Sequence, residues 1–237
     1  MDAELGLMDY LLKFPPYVIE GLEIDRSNPV LLHISPNPTI REFIPRPIQR
    51  TMKGEDEYVP RVCTGVGLLD CLRGYAVAIN DFLKKEATCA GDDDWLGGYT
   101  IYSIPAEIAL KPSPRMAPIS KWCEERWLVP YEGPSQPYIP TAVGKFFIND
   151  VMLTEDKTII PEIYLHVEKG PMIFDRHLTL YPGYWRVIIP NLNSYFEEKF
   201  RREDLVVEKL APEKFNVSKQ SKAHLLSYDI NSFIKRW

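Results

Sequence analysis

Twenty-one prolines against thirteen glycines in 237 residues constrain this chain more than any other feature. A proline fixes its own φ and carries no N–H, so it ends helices and cuts strands into short runs between rigid turns. The distribution predicts an α+β chain of short strands and ordered loops, with few long helices. The length is enough to bury a sizeable core, as one large domain or one and a half.

Charge and cysteines bound the partners and the compartment. The formal net charge is -5 with a pI near 5.5, so the chain has no electrostatic reason to coat DNA or an anionic membrane. Cys63, Cys71, Cys89 and Cys123 contain no C-x-x-C pair and read as reduced, buried thiols. The acidic start Met1-Asp2-Ala3-Glu4 lacks a secretory n-region, and no apolar run is long enough to span a bilayer. The expectation is a soluble, cytoplasmic protein without a membrane partner.

Along the chain, Leu5, Met8, Leu11 and Leu12 have helical spacing, and Phe14-Pro15-Pro16-Tyr17 stops that helix. Val30-Leu31-Leu32-His33-Ile34-Ser35-Pro36 reads as a short buried strand with His33 near its end. A histidine there is either a hydrogen-bonded structural residue or a side chain facing a cleft. Residues 36–60 read as a long ordered loop, with Glu55-Asp56-Glu57 at a solvated tip. Arg61–Gly65 is a second strand, and Leu68–Phe82 has the spacing of an amphipathic helix. Asp92-Asp93-Asp94 beside Trp95 reads as a loop or cap. Further strands are expected at Tyr99–Ile104, Glu125–Pro130 and Val143–Ile148.

Beyond Val151 the texture changes. Ile159–Val167 and Met172–Leu180 read as strands joined by Lys169-Gly170-Pro171, with a third strand at Tyr184–Ile189. Helices are expected at Ser194–Glu203 and near Ile230–Trp237. His166, Asp175 and His177 are the residue types of a zinc site, but simple pairing of the hairpin sets His166 opposite Ile173, and no metal is expected.

Three blocks carry a resemblance. His33-Ile34-Ser35-Pro36 lies on a first strand and Pro60-Arg61-Val62-Cys63-Thr64 on a second that leads into a helix with Tyr75. Glu125-x-Trp127-Leu128 lies on a late strand, followed by Gly144-Lys145. This order resembles the ADP-ribosyltransferase-like superfamily, in particular small bacterial and phage proteins with such blocks, over about residues 28–150. The resemblance implies a split mixed or antiparallel β core of ADP-ribosyltransferase type with flanking helices, plus a C-terminal β-hairpin and helical extension. The implied segments are 1–27 (helix and linker), 28–153 (core) and 154–237 (extension, for recognition or oligomerisation).

The resemblance further implies NAD as substrate, with transfer of ADP-ribose to a protein or nucleic-acid target, or to water as NAD hydrolysis. In the diphtheria-toxin-like branch a strand histidine holds the NAD ribose, a tyrosine stacks on nicotinamide and a glutamate assists attack on the ribose. The matching positions are His33, Tyr75 and Glu125, with Arg46, Arg61 and Thr64 as further NAD contacts. The chemistry suits these types. A carboxylate stabilises oxocarbenium charge, an aromatic face meets the departing ring, and guanidinium forks fit pyrophosphate. The expected geometry has His33 and Glu125 on neighbouring strands facing one cleft. The sequence departs from the arginine-directed branch, lacking Ser-Thr-Ser and Glu-x-Glu. Tyr75 could equally be a core aromatic and Glu125 an ordinary strand residue beside Trp127. Two alternatives stay open: a non-catalytic phage or bacterial binding or modulator protein on the same fold, and a relative of the RNA 2′-phosphotransferases.

Overall fold

A computed structural model describes residues 3–48, 53–75, 99–153, 159–189 and 205–214. Its elements are α1 (Ala3–Leu11), α2 (Pro16–Glu20), β1 (Leu22–Asp25), β2 (Val30–Ser35), β3 (Val62–Gly65), α3 (Leu68–Gly74), β4 (Tyr99–Pro105), β5 (Ala109–Pro112) and β6 (Glu125–Leu128). They continue with β7 (Thr141–Leu153), β8 (Ile159–Val167), β9 (Met172–Asp175), β10 (Leu178–Leu180), β11 (Gly183–Ile188) and β12 (Val206–Leu210). The chain is α+β and mostly β, with few helices, and its registered strand pairs are antiparallel. Among the described residues no helix is long and apolar enough to cross a membrane.

Two compact units interleave along the chain. The first comprises residues 1–74, 102–142 and 172–179, the second 75–101, 143–171 and 180–237.

In the first unit the strand order is β1-β5-β6-β3-β2-β4. On one face lie Leu7, Tyr10 and Leu11 of α1, Val18 of α2, Leu110 and Trp127. On the other lie Leu31, Val62, Ala109, Leu128, Ile104 and Tyr138. Successive strand residues alternate faces, so each four-residue strand feeds both layers. The buried side of α1 is therefore Leu7, Tyr10 and Leu11, whereas Leu5, Met8 and Leu12 of the expected stripe are exposed. Helix α2 begins on Pro16, where the missing N–H costs nothing. Among the described residues the short β9 and β10 pair only with each other, turning at Arg176 and His177, where one strand from Met172 to Leu180 was expected.

In the second unit β8 pairs antiparallel with β7 on one side and β11 on the other, and β12 closes the edge beside β11. The expected hairpin of β8 with the strand from Met172 does not form. Its would-be turn, with Gly170 at φ 61, instead leads out of β8, whose two edges are already taken. Tyr99 stacks on Phe146, and His166 on Tyr184. The stretch 76–82 of the predicted helix, the Asp92–Asp94 loop and both C-terminal helices lie outside the described residues.

Candidate functional site

Register decides what the predicted residues can do together. Gly65 of β3 stands opposite Leu32 of β2 on one side and Glu125 of β6 on the other. One residue along, the row reads His33, Thr64, Arg126. Directly opposed residues share a face and neighbours alternate, so His33 and Glu125 lie on opposite faces of the sheet. They are also not on neighbouring strands, since β3 runs between β2 and β6. The cores agree: Glu125 sits with Trp127 on the side covered by α1, and His33 with Leu31 on the side of Leu128 and Tyr138. The expected shared cleft of His33 and Glu125 is not formed.

On the His33 face, the ring Nδ1–H donates to the Cys63 carbonyl at 2.8 Å, which makes Nε2 the lone-pair nitrogen of the neutral ring. Phe43 packs edge-on against the ring at 4.6 Å and in turn against Tyr102. Burial pulls the His33 pKa below its ordinary value, with the Cys63 bond acting in the opposite direction. Thr64 is buried, and its hydroxyl donates to the Arg126 carbonyl at 2.8 Å. The Arg126 guanidinium is held by Asp25 and Glu124. Burial opposes ionisation of Asp25, but hydrogen bonds from Ser27, Arg126 and Asn28 outweigh it and hold the carboxyl far below the usual range.

On the opposite face, the Trp127 indole N–H donates to Glu125 Oε1 at 2.9 Å. The Cys63 thiol lies beside the same carboxyl, and burial, above all, raises the Glu125 pKa. The guanidinium of Arg61 lies 3.9 Å from the Trp127 ring centroid, and its side chain is 0% exposed. Its Nη1 donates to Asp56 Oδ2 at 3.0 Å and to the Val59 carbonyl at 3.1 Å, and Nη2 to the Asp56 carbonyl at 2.8 Å. Arg61 is thus an interior cation, bonded on both terminal nitrogens within the first unit. Asp56, placed by sequence at a solvated tip, is buried and also accepts the Tyr58 and Val59 amides. Arg46 is exposed, and its backbone bridges to Arg61. Tyr75 belongs to the second unit, just past the end of α3, with its ring edge-on to Tyr99 at 5.7 Å.

Sequence reasoning missed a cleft in the first unit. Tyr17, Glu20, Gly21, Gly54, Glu55, Asp56, Tyr58, Arg115 and Met116 line a space of about 250 Å³. Its tyrosines are 58% and 59% exposed, while Met116 is buried. Gly21 packs directly on Met116 within this lining, since a Cβ there would meet Met116 Cγ at 2.4 Å. Phe14-Pro15-Pro16-Tyr17 and Glu55-Asp56-Glu57-Tyr58 were the signals available, an aromatic beside a stop and an aromatic beside an acidic run.

Among the described residues no group of His, Cys, Asp and Glu could hold a metal ion. No known family model, curated protein or solved structure matches this chain.

Proposed function

We propose that this chain is a non-catalytic binding protein on an ADP-ribosyltransferase-like core, one that does not use NAD. One observation carries this reading: the two residues that would have to meet across NAD, His33 and Glu125, lie on opposite faces of a sheet. The side chains assigned to the chemistry also have internal work, His33 on the Cys63 carbonyl, Arg61 on Asp56 and Glu125 on Trp127. The block order that resembles NAD-consuming enzymes then reflects a shared core.

The test is calorimetry of the full chain with NAD at millimolar concentration, together with assay of released nicotinamide. The expected result is no saturable heat and no release. Saturable NAD binding, or nicotinamide release that Glu125→Gln abolishes, would overturn the proposal.

A further inference from the structure

We propose that the outer face of α1 docks on the same face of a second copy of this chain, with the two helices antiparallel. The inference is independent of the reading of the chain as a binding protein.

The apolar stripe comes first. Helix α1 is held in the first unit by Leu7, Tyr10 and Leu11, which are buried. Leu5, Met8 and Leu12 are 63%, 44% and 71% exposed. Each residue turns an α-helix by about 100°, so these three fall within roughly 60° of one another. Leu12 still belongs to the helical ladder, its amide donating to the Met8 carbonyl at 3.1 Å. Three of the ten large apolar side chains exposed among the described residues therefore share one stripe. Apolar residues scattered singly over a surface need no explanation, but helical spacing of this kind is the anchor pattern of helix docking.

Charge selects the occupant. Asp9 and Lys13 are exposed and border the stripe on one flank, about 40° apart around the helix. Among the described residues Asp9 has no ion pair or hydrogen bond, and Lys13 Nζ lies 5.6 Å from the Tyr10 ring centroid. An acid followed four residues later by a base is complementary to the same pair read backwards. In an antiparallel two-fold pair like flanks meet, so Asp9 of each copy faces Lys13 of the other. With the axis level with residue 10, Met8 of each copy opposes Leu12 of the other. Each Lys13 then lies about two residues, roughly 3 Å, beyond the facing Asp9, within the reach of its side chain. A partner helix of one sign would instead set a like charge against Asp9 or Lys13.

Size sets the strength. Three apolar side chains per copy are far fewer than the roughly 20–30 residues a side of a standard interface. The pair is therefore weak, with a dissociation constant on the order of 100 µM.

The test is sedimentation velocity of the full chain from about 5 µM to about 1 mM at low salt. The weight-average sedimentation coefficient should climb from monomer toward dimer. Leu12→Ser should weaken association about five-fold or more. Asp9→Lys and Lys13→Asp should each weaken it about two- to five-fold alone, whereas an equimolar mixture of the two should associate more tightly than either. All three positions are exposed, so urea midpoints close to that of wild type are expected of the variants.

A constant monomer value up to 1 mM overturns the proposal. Association that Leu12→Ser leaves unchanged overturns it too, because another surface then makes the pair. A mixture of the charge variants no tighter than its components refutes the antiparallel arrangement.

Discussion

Arg61 is where a ligand-binding role and an architectural role predict opposite outcomes. Arg61→Met keeps much of the apolar contact with Trp127 but removes the guanidinium. The Asp56 carboxylate, 7% exposed, then loses its cation and keeps only the Tyr58 and Val59 amides. Taking one partner from a buried ion pair costs about 3–5 kcal/mol, because the remaining charge stays desolvated. The Val59 and Asp56 carbonyls also lose their donors, each worth about 1 kcal/mol. The gain from leaving Arg61 Nε, which is buried without a partner, works the other way, so about 4 kcal/mol is expected overall. Asp56→Asn with Arg61→Met removes both charges while the Asn oxygen can still accept the two amides. The double variant should therefore be more stable than the sum of the singles predicts, by about 2 kcal/mol. Urea unfolding of the four proteins measures the cycle. A loss below about 1 kcal/mol in Arg61→Met, or simple additivity, would refute the argument.

Glu125 and His33 should each make stability depend on pH, with opposite sign. Burial raises the Glu125 pKa from about 4.5, so its contribution is complete below that pH and is lost as pH rises through the folded value. Glu125→Gln keeps an acceptor for Trp127 and should unfold at higher urea than wild type at pH 8, the gap narrowing toward pH 4. Burial lowers the His33 pKa from about 6.5, so its contribution is present above that pH and lost as pH falls through the folded value. In the Glu125→Gln background, the loss that sets in as pH falls below about 6.5 should shrink with His33→Gln, while the loss from Asp25, whose carboxyl is held well below its usual range, remains at lower pH. Gly65→Ala should cost about 1–3 kcal/mol or more by thermal unfolding, because its Cβ would lie 2.9 Å from Asp70 Cβ, Cys71 N and Cys71 Sγ. Gly74→Ala, with nothing within 4 Å, is the control and should shift little.

The strands carrying His33, Arg61–Gly65, Tyr99–Ile104 and Glu125 were legible because apolar β-formers run unbroken between prolines and glycines. Strands β1, β5 and β12 were not. Leu22-Glu23-Ile24-Asp25 alternates correctly but is only four residues long, and β5 ends in Pro112 among other prolines. The face of a strand residue was illegible for a deeper reason. A shift of one residue in the pairing of β2 with β3 would have put His33 on the Glu125 side, and nothing local to either strand fixes that register. The Arg61–Asp56 pair was hidden similarly: five residues separate them across Pro60, and adjacent acids ordinarily point to water.

Prolines also explain why the residue types that the resemblance assigns to NAD stand where they do. A proline-rich segment pressed against a core has few ladder partners for its amides and carbonyls, and each one left buried and unmet costs about 1–3 kcal/mol. Side chains make up the difference. Asp56 and Arg61 serve the amides and carbonyls of residues 56–59, and Tyr102 binds the Asn37 carbonyl and the Ile40 amide. Asp70 holds the amides of Gly67 and Glu124, and Arg73 the Trp122 carbonyl. His33 and Thr64 do the same for Cys63 and Arg126. A histidine, an arginine and a threonine near strand ends are therefore required by this architecture whether or not a ligand exists. Loss of activity on replacing His33, Arg61 or Glu125 would then report a damaged fold as readily as a damaged site. Tyr58 and Glu20, by contrast, are exposed, so replacing either should leave the urea midpoint close to that of wild type.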